Sequence, residues 1–152
     1  MDPFDTAATR AIWQRVLQPR EEEMSLEDTL SEMIADEYAD HAIYLSMAGC
    51  AGRFAPKMRA IAADELRHAR RLTALYFLLT GTKPCPRHSA HCGGSFCQML
   101  RVRYTEELSG AGKYREAAER WSEHAALFYE LADAEQRHSC ILQRIAEQVI
   151  CA

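Results

Sequence analysis

The 152-residue sequence predicts an all-α protein in which four helices, paired as two hairpins, pack into one four-helix bundle. Three observations carry that expectation. Alanine, leucine, glutamate and arginine dominate, whereas seven glycines and five prolines collect in a few places. Apolar residues recur at helical spacing, and strand-like alternation is hard to find. The chain also repeats its own chemistry: Glu37, Tyr44, Glu65 and His68 return 70 residues later as Glu107, Tyr114, Glu135 and His138. An apolar content of 48% is ample for a single core in a chain of this length.

Residues 1–24 form an amphipathic extension containing Ile12, Trp13, Val16 and Leu17, then Pro19 and three glutamates. It is expected to cap the bundle or reach a neighbouring subunit. The first core helix is placed near 25–49, where Ser25 and Asp28 have the spacing of a capping box. Its inward stripe reads Leu30, Ile34, Glu37, His41, Tyr44, Ala48. Gly49, Gly52 and Pro56 mark a break and a restart. The second helix, near 54–80, carries Phe54, Met58, Ile61, Glu65, His68, Leu72, Leu75 and Leu79 on one stripe, and Gly81 and Pro84 end it.

The stretch 81–95 is rich in proline, glycine and cysteine. Its ~15 residues, at up to ~3.3 Å each, can cross the ~40 Å length of a bundle, so a long crossover is expected. The third helix, near 96–120, has the stripe Leu100, Tyr104, Glu107, Ala111, Tyr114, Ala118. The fourth, near 123–150, follows Trp121 with Ser122 as its expected cap, and carries His124, Phe128, Leu131, Glu135, His138, Leu142, Ile145 and Val149. The bundle thus spans 25–150, with hairpins 25–80 and 96–150.

Glu37 and Glu65 lie equally far from residue 51, and Glu107 and Glu135 from residue 121; both are expected turns. In an antiparallel hairpin, residues equidistant from the turn share one height. Each pair of glutamates is therefore level, about 20 Å from its turn at ~1.5 Å per residue. Two such hairpins pool their ligands at mid-bundle.

A Glu and a His three apart share one helix face, so Glu65–His68 and Glu135–His138 each offer a carboxylate and an imidazole to one ion. Four carboxylates in a core cannot stay ionised unpaired, because each costs several kcal/mol in desolvation. Two divalent ions balance their charge, and two neutral histidines complete the set. Mixed carboxylate and imidazole ligands suit iron or manganese, as Fe/Fe, mixed Mn/Fe or Mn/Mn, with zinc also compatible. Surface salt bridging is the rival reading. It does not explain why all six residues fall on apolar stripes.

The duplicated set, with its matching 28-residue gaps, resembles the ferritin-like superfamily and most of all the di-iron domain of rubrerythrin. The resemblance covers roughly residues 25–150. It implies that Glu65 and Glu135 bridge two ions while Glu37 and His68, with Glu107 and His138, are terminal. It matches Tyr44 and Tyr114 to tyrosines that hydrogen-bond ligand carboxylates, although either is as readily an ordinary core residue. Rubrerythrins carry a further glutamate where this chain has Gly110, and a rubredoxin module that this chain lacks, so electrons are expected from a separate donor protein. Asp40 and His41, close to Glu37, are an extra ligand or proton relay, or else a surface aspartate and a satisfied core histidine. The implied activity is that of a non-haem di-iron oxidoreductase reducing hydrogen peroxide or dioxygen. Ferroxidase or iron-storage function, and a non-catalytic bundle held together by metal, are the rivals. A homodimer is the implied assembly.

The net charge of −4, with arginines interspersed among acidic residues, argues against a nucleic-acid partner. No apolar run approaches the ~20 residues of a membrane span. The start Met1-Asp2-Pro3-Phe4-Asp5 lacks a basic region followed by an apolar core, so a cytoplasmic protein with reduced thiols is expected. Cys85, His88, His91 and Cys92 in the crossover fall close to Cys97 at the start of the third helix, as a second candidate metal or redox centre. Their spacing does not match paired C-x-x-C sites.

Overall fold

The computed structural model describes residues 24–85 and 93–150. Four long helices make up the fold: α1 (Leu26–Cys50), α2 (Ala55–Thr80), α3 (Phe96–Arg120) and α4 (Ala125–Ile150). No strand occurs among the described residues. Helices α1 and α2 pair as one hairpin and α3 and α4 as the other, and the backbones approach most closely within each hairpin. Between hairpins the contact runs mainly through side chains.

Local chemistry sets the helix ends. Ser25 accepts a hydrogen bond from the Asp28 amide and donates one to its carboxylate, satisfying one of the open N–H groups of α1. The α1–α2 turn passes through Ala51 and a 3₁₀ turn at Gly52–Phe54, with Gly52 at φ 52° and Pro56 in the first turn of α2. Gly81 closes α2 at φ 71°, a left-handed position that strains any residue with a Cβ, and its amide bonds back to the Phe77 carbonyl. Helix α3 begins with a full capping box, Ser95 with Gln98.

The helix limits fall within two residues of the expected ones, with two corrections. Ser122, expected to cap the last helix, instead opens a 3₁₀ turn at Ser122–His124, and α4 starts at Ala125. The Glu-to-Glu symmetry of the hairpin survives because the α1–α2 turn holds the matching 3₁₀ segment. Leu79, expected on the inward stripe, is exposed along with Phe77 and Leu78. Leu26 is as far from the turn at residue 51 as Tyr76 is, so the last residues of α2 run past the start of its partner.

The core is split in two. One apolar cluster, at the α1–α2 turn end, joins Met47, Phe54, Met58 and Ile61 to Leu100, Leu142 and Ile145. The other, at the opposite end, joins Leu30, Ile34 and Leu72 to Phe128 and Leu131. The 70-residue repeat relates the two, setting Met58 and Ile61 against Phe128 and Leu131, and Leu30 and Leu72 against Leu100 and Leu142. Between the clusters lies a polar layer.

The N-terminal extension falls outside the described residues apart from Met24, whose carbonyl accepts from Arg120. His88, His91 and Cys92 of the second candidate centre, and the middle of the crossover, also lie outside them. Cys85 and Cys97 are exposed. No helix among the described residues is long and apolar enough to cross a membrane.

Candidate metal centre

Glu37, Glu65, His68, Glu107, Glu135 and His138 all converge in the polar layer, each buried. Helix periodicity explains this directly: every one sits on an inward stripe, so the packing that buries Leu30, Leu72, Leu131 and Leu142 carries the ligands in with them. They form two overlapping groups. Glu37, Glu65, His68 and Glu135 bring ligand atoms within 4.8 Å of one another, and so do Glu65, Glu107, Glu135 and His138. Glu65 and Glu135 belong to both.

The short distances radiate from the imidazole nitrogens. His68 Nδ1 lies 3.0 Å from Glu65 Oε2 and 3.3 Å from both Glu37 Oε2 and Glu135 Oε1. His138 Nδ1 lies 3.0 Å from Glu65 Oε1 and 3.2 Å from Glu107 Oε2. The two rings stack loosely, with centroids 5.8 Å apart. Glu65 thus turns one oxygen to each histidine.

These contacts are close but poorly satisfied. Glu37 Oε2, both oxygens of Glu65, His68 Nδ1 and Glu135 Oε1 are buried without a hydrogen bond of acceptable geometry. One proton on His68 Nδ1 cannot serve three carboxylate oxygens, whereas a cation among them can. Buried orphan acceptors of this kind cost free energy, which makes the layer a poor structural network on its own. Oxygen and imidazole donors around two adjacent positions fit divalent transition ions.

The electrostatics carry the same mark of crowding. Burial pushes the carboxyl groups of Glu37 and Glu135 well above the ordinary value of 4.5, against the pull of His68. Glu65 goes the other way: burial opposes ionisation, but contacts with His138 and His68 hold it below that range. Burial disfavours charge on His68 too, yet Glu135, Glu37 and Glu65 raise it to about 12, and Glu107 and Glu65 raise His138 to about 11. Without an ion the layer therefore keeps protons on both imidazoles and on part of its carboxylates. An ion binding there displaces them.

Tyr44 donates to Glu107 Oε1 and Tyr114 donates to Glu37 Oε1. Each tyrosine thus reaches across to a carboxylate of the other hairpin. Burial, and then the adjacent Glu107 or Glu37, lifts both phenols well above 10, so they remain donors.

Asp40 and His41 separate in role. His41 Nδ1 donates to the Ala62 carbonyl at 2.7 Å, tying α1 to α2 as a satisfied, partly buried histidine outside both ligand groups. Asp40 pairs with Arg103 at 2.5 Å, and its carboxyl is raised to about 7, burial outweighing Arg103. It too lies outside both groups.

Two contributors are missing from the expected set. Arg103, buried on α3, also approaches Glu107 Oε1 at 3.5 Å and lies over the Tyr44 ring at 5.2 Å. Asp64 Oδ2 lies 3.3 Å from His138 Nε2, the ring nitrogen facing away from the other ligands, and Asp64 also pairs with Arg67. Arg103 had a legible signal, as a charged residue four before Glu107 on an apolar stripe. Asp64 had none, since its partner is on another helix.

A cavity of about 160 Å³ opens beside the layer between α1 and α3, lined by Glu37, Glu135, Gly110, Asp40, Arg103 and Tyr114 among others. Gly110 keeps this wall thin: a Cβ there stands 3.2 Å from Glu135 Oε2.

Fold and site together define an all-α four-helix bundle whose buried glutamates and histidines could hold metal. No family model matches the chain. It is 28% identical over 125 residues to the uncharacterized protein YhjR of Bacillus subtilis (strain 168), covering 80% of this chain and 86% of that one. A hypothetical protein from Pyrococcus furiosus shares the fold, with a TM-score of 0.75 at 22% identity over 86% of this chain and 94% of the other.

Proposed function

We propose that this protein is a rubrerythrin-like di-iron carboxylate oxidoreductase of the ferritin-like type, reducing hydrogen peroxide or dioxygen with electrons from a separate donor. The observation that supports it most is the pair of overlapping buried groups, Glu37, Glu65, His68, Glu135 and Glu65, Glu107, Glu135, His138. The orphaned oxygens of Glu37, Glu65 and Glu135 support this reading, because buried carboxylate oxygens without donors suit cations. When bound, two redox-active ions supply two electrons to an O–O bond.

The chain's own residues bind, orient and exclude. Glu65 and Glu135, common to both groups, would contribute to both positions, while Glu37 with His68 and Glu107 with His138 would serve one position each. Tyr114 and Tyr44 fix the rotamers of Glu37 and Glu107 through their hydroxyls. The apolar clusters above and below exclude bulk water, and the cavity beside Glu37 and Glu135 leaves room for a small oxidant. Asp40, on that cavity wall with a carboxyl raised to about 7, is placed to pass protons.

The test is metal content per chain in protein from its native host, then anaerobic Fe(II) loading and a stoichiometric pulse of hydrogen peroxide followed by optical absorption. About two irons per chain, rapidly oxidised by peroxide, is the expected result. Oxidation by dioxygen alone, with the ferric product retained and no turnover on adding an external reductant, would point instead to a ferroxidase. Zinc, or metal that stabilises without turnover, would point to a structural bundle.

A further inference from the structure

The 70-residue repeat makes the six ligands symmetric, but the residues that support them are not. Asp64, which meets His138 Nε2 at 3.3 Å, corresponds to Ala134, which offers His68 no carboxylate. Arg103, beside Glu107, corresponds to Met33, and Asp40, its partner, corresponds to Gly110. All three polar members gather around Glu107 and His138. Of the small or apolar counterparts, Met33 and Gly110 line the cavity beside Glu37, and Ala134 precedes Glu135.

Resting on the metal-site reading above, we propose that the two ion positions are unequal: Glu107 and His138 build a tight, first-filled position, whereas Glu37 and His68 build a weaker, exchangeable one open to the cavity. Asp64 acts through His138 as a positioning residue. A carboxylate on the outer ring nitrogen fixes the tautomer with the Nδ1 lone pair facing the ion and makes that nitrogen more basic; losing such a partner typically lowers metal affinity about 10–100-fold. Arg103 lies 2.5 Å from Asp40 against 3.5 Å from Glu107, so Asp40 is its nearer partner and orients it beside Glu107.

Solvent access separates the positions in the same direction. Glu107 is fully buried and does not line the cavity between α1 and α3, and neither histidine lines it. Glu37 lines it directly, next to Gly110. Water there weakens the attraction between carboxylate and cation and gives a competing ligand a path to the ion.

The test is equilibrium titration of the metal-free protein with Co(II), followed by its visible absorption and by competition with a chromophoric chelator. Two steps differing by at least about tenfold are expected, with Asp64→Ala weakening the first step about 10–100-fold and altering the spectrum of the first-bound Co(II). The half-exposed Asp64 side chain makes this variant compatible with folding. His68→Ala should leave the tight step in place, and His138→Ala should remove it. The chelator should also withdraw one Co(II) from the wild-type protein well before the other. Two equal steps, an Asp64→Ala effect spread evenly over both, or loss of the tight step in His68→Ala would overturn the inequality while leaving the metal site standing. Failure to bind Co(II) at all would overturn the site itself.

Discussion

Tyr44 and Tyr114 each donate to a carboxylate belonging to the opposite hairpin. Removing one hydroxyl leaves a buried glutamate oxygen short of a donor. Tyr44→Phe should therefore destabilise the metal-free protein by roughly 1–3 kcal/mol, read as a lowered midpoint in denaturant unfolding. An unchanged midpoint would mean that Arg103, the other group near Glu107 Oε1, takes over as donor. The crossed pattern also explains why these tyrosines recur in both halves of the repeat: each half needs the other half's phenol.

At the scale of the helix, caps and apolar stripes make separate contributions. The Ser95–Gln98 box starts α3 directly after the crossover, with Gln98 Oε1 accepting from the Ser95 amide at 2.7 Å and Ser95 Oγ accepting from the Gln98 amide at 3.3 Å. Ser95→Ala should cost about 1 kcal/mol and speed amide hydrogen exchange in the first turn of α3, leaving the other helices unchanged. Leu131→Ala acts differently. Leu131 is fully buried in the cluster with Phe128, Leu30 and Leu72, so truncation should cost roughly 2–5 kcal/mol in thermal or denaturant unfolding. A loss under about 1 kcal/mol would show that the cluster collapses to fill the space. Because Leu131 is four residues before Glu135 on the same stripe, the core that holds α4 also aims Glu135 into the polar layer.

For the molecule as a whole, the polar layer makes stability depend on pH in a direction set by its protons. His68 and His138 are raised from 6.5 to about 12 and about 11, and Asp40 from 3.8 to about 7, with Glu37 and Glu135 also raised. In each case the folded chain keeps a proton that the unfolded chain has released, so stability falls as pH rises through the window between the two values. Glu65 is lowered from 4.5 to about 2, so its contribution is present above 4.5 and lost as pH falls toward 2. The metal-free protein should therefore be more stable near about pH 5 than near about pH 8, measured by unfolding midpoints in a chelator-containing buffer. Bound ions should reverse the order, because they require the same ligands deprotonated. A metal-free midpoint that rises from about pH 5 to about pH 8 would contradict this charge distribution.

Helix number, hairpin pairing and the heights of Glu37, Glu65, Glu107 and Glu135 followed from the sequence alone, because helical periodicity and distance from a turn are local properties that arithmetic can read. The six inward Glu and His residues were legible for the same reason. Leu79 and Ser122 were misplaced because helix overhang and the 3₁₀ turn depend on where the partner helix begins. Only the tertiary structure decided which residues support each ligand: that Asp64 on α2 backs His138 on α4, that Arg103 on α3 pairs with Asp40 on α1, and that His41 is tied to the Ala62 carbonyl. Such contacts join residues on different helices, whose rotation and separation are set by the packing of the whole bundle and leave no periodic trace in the chain.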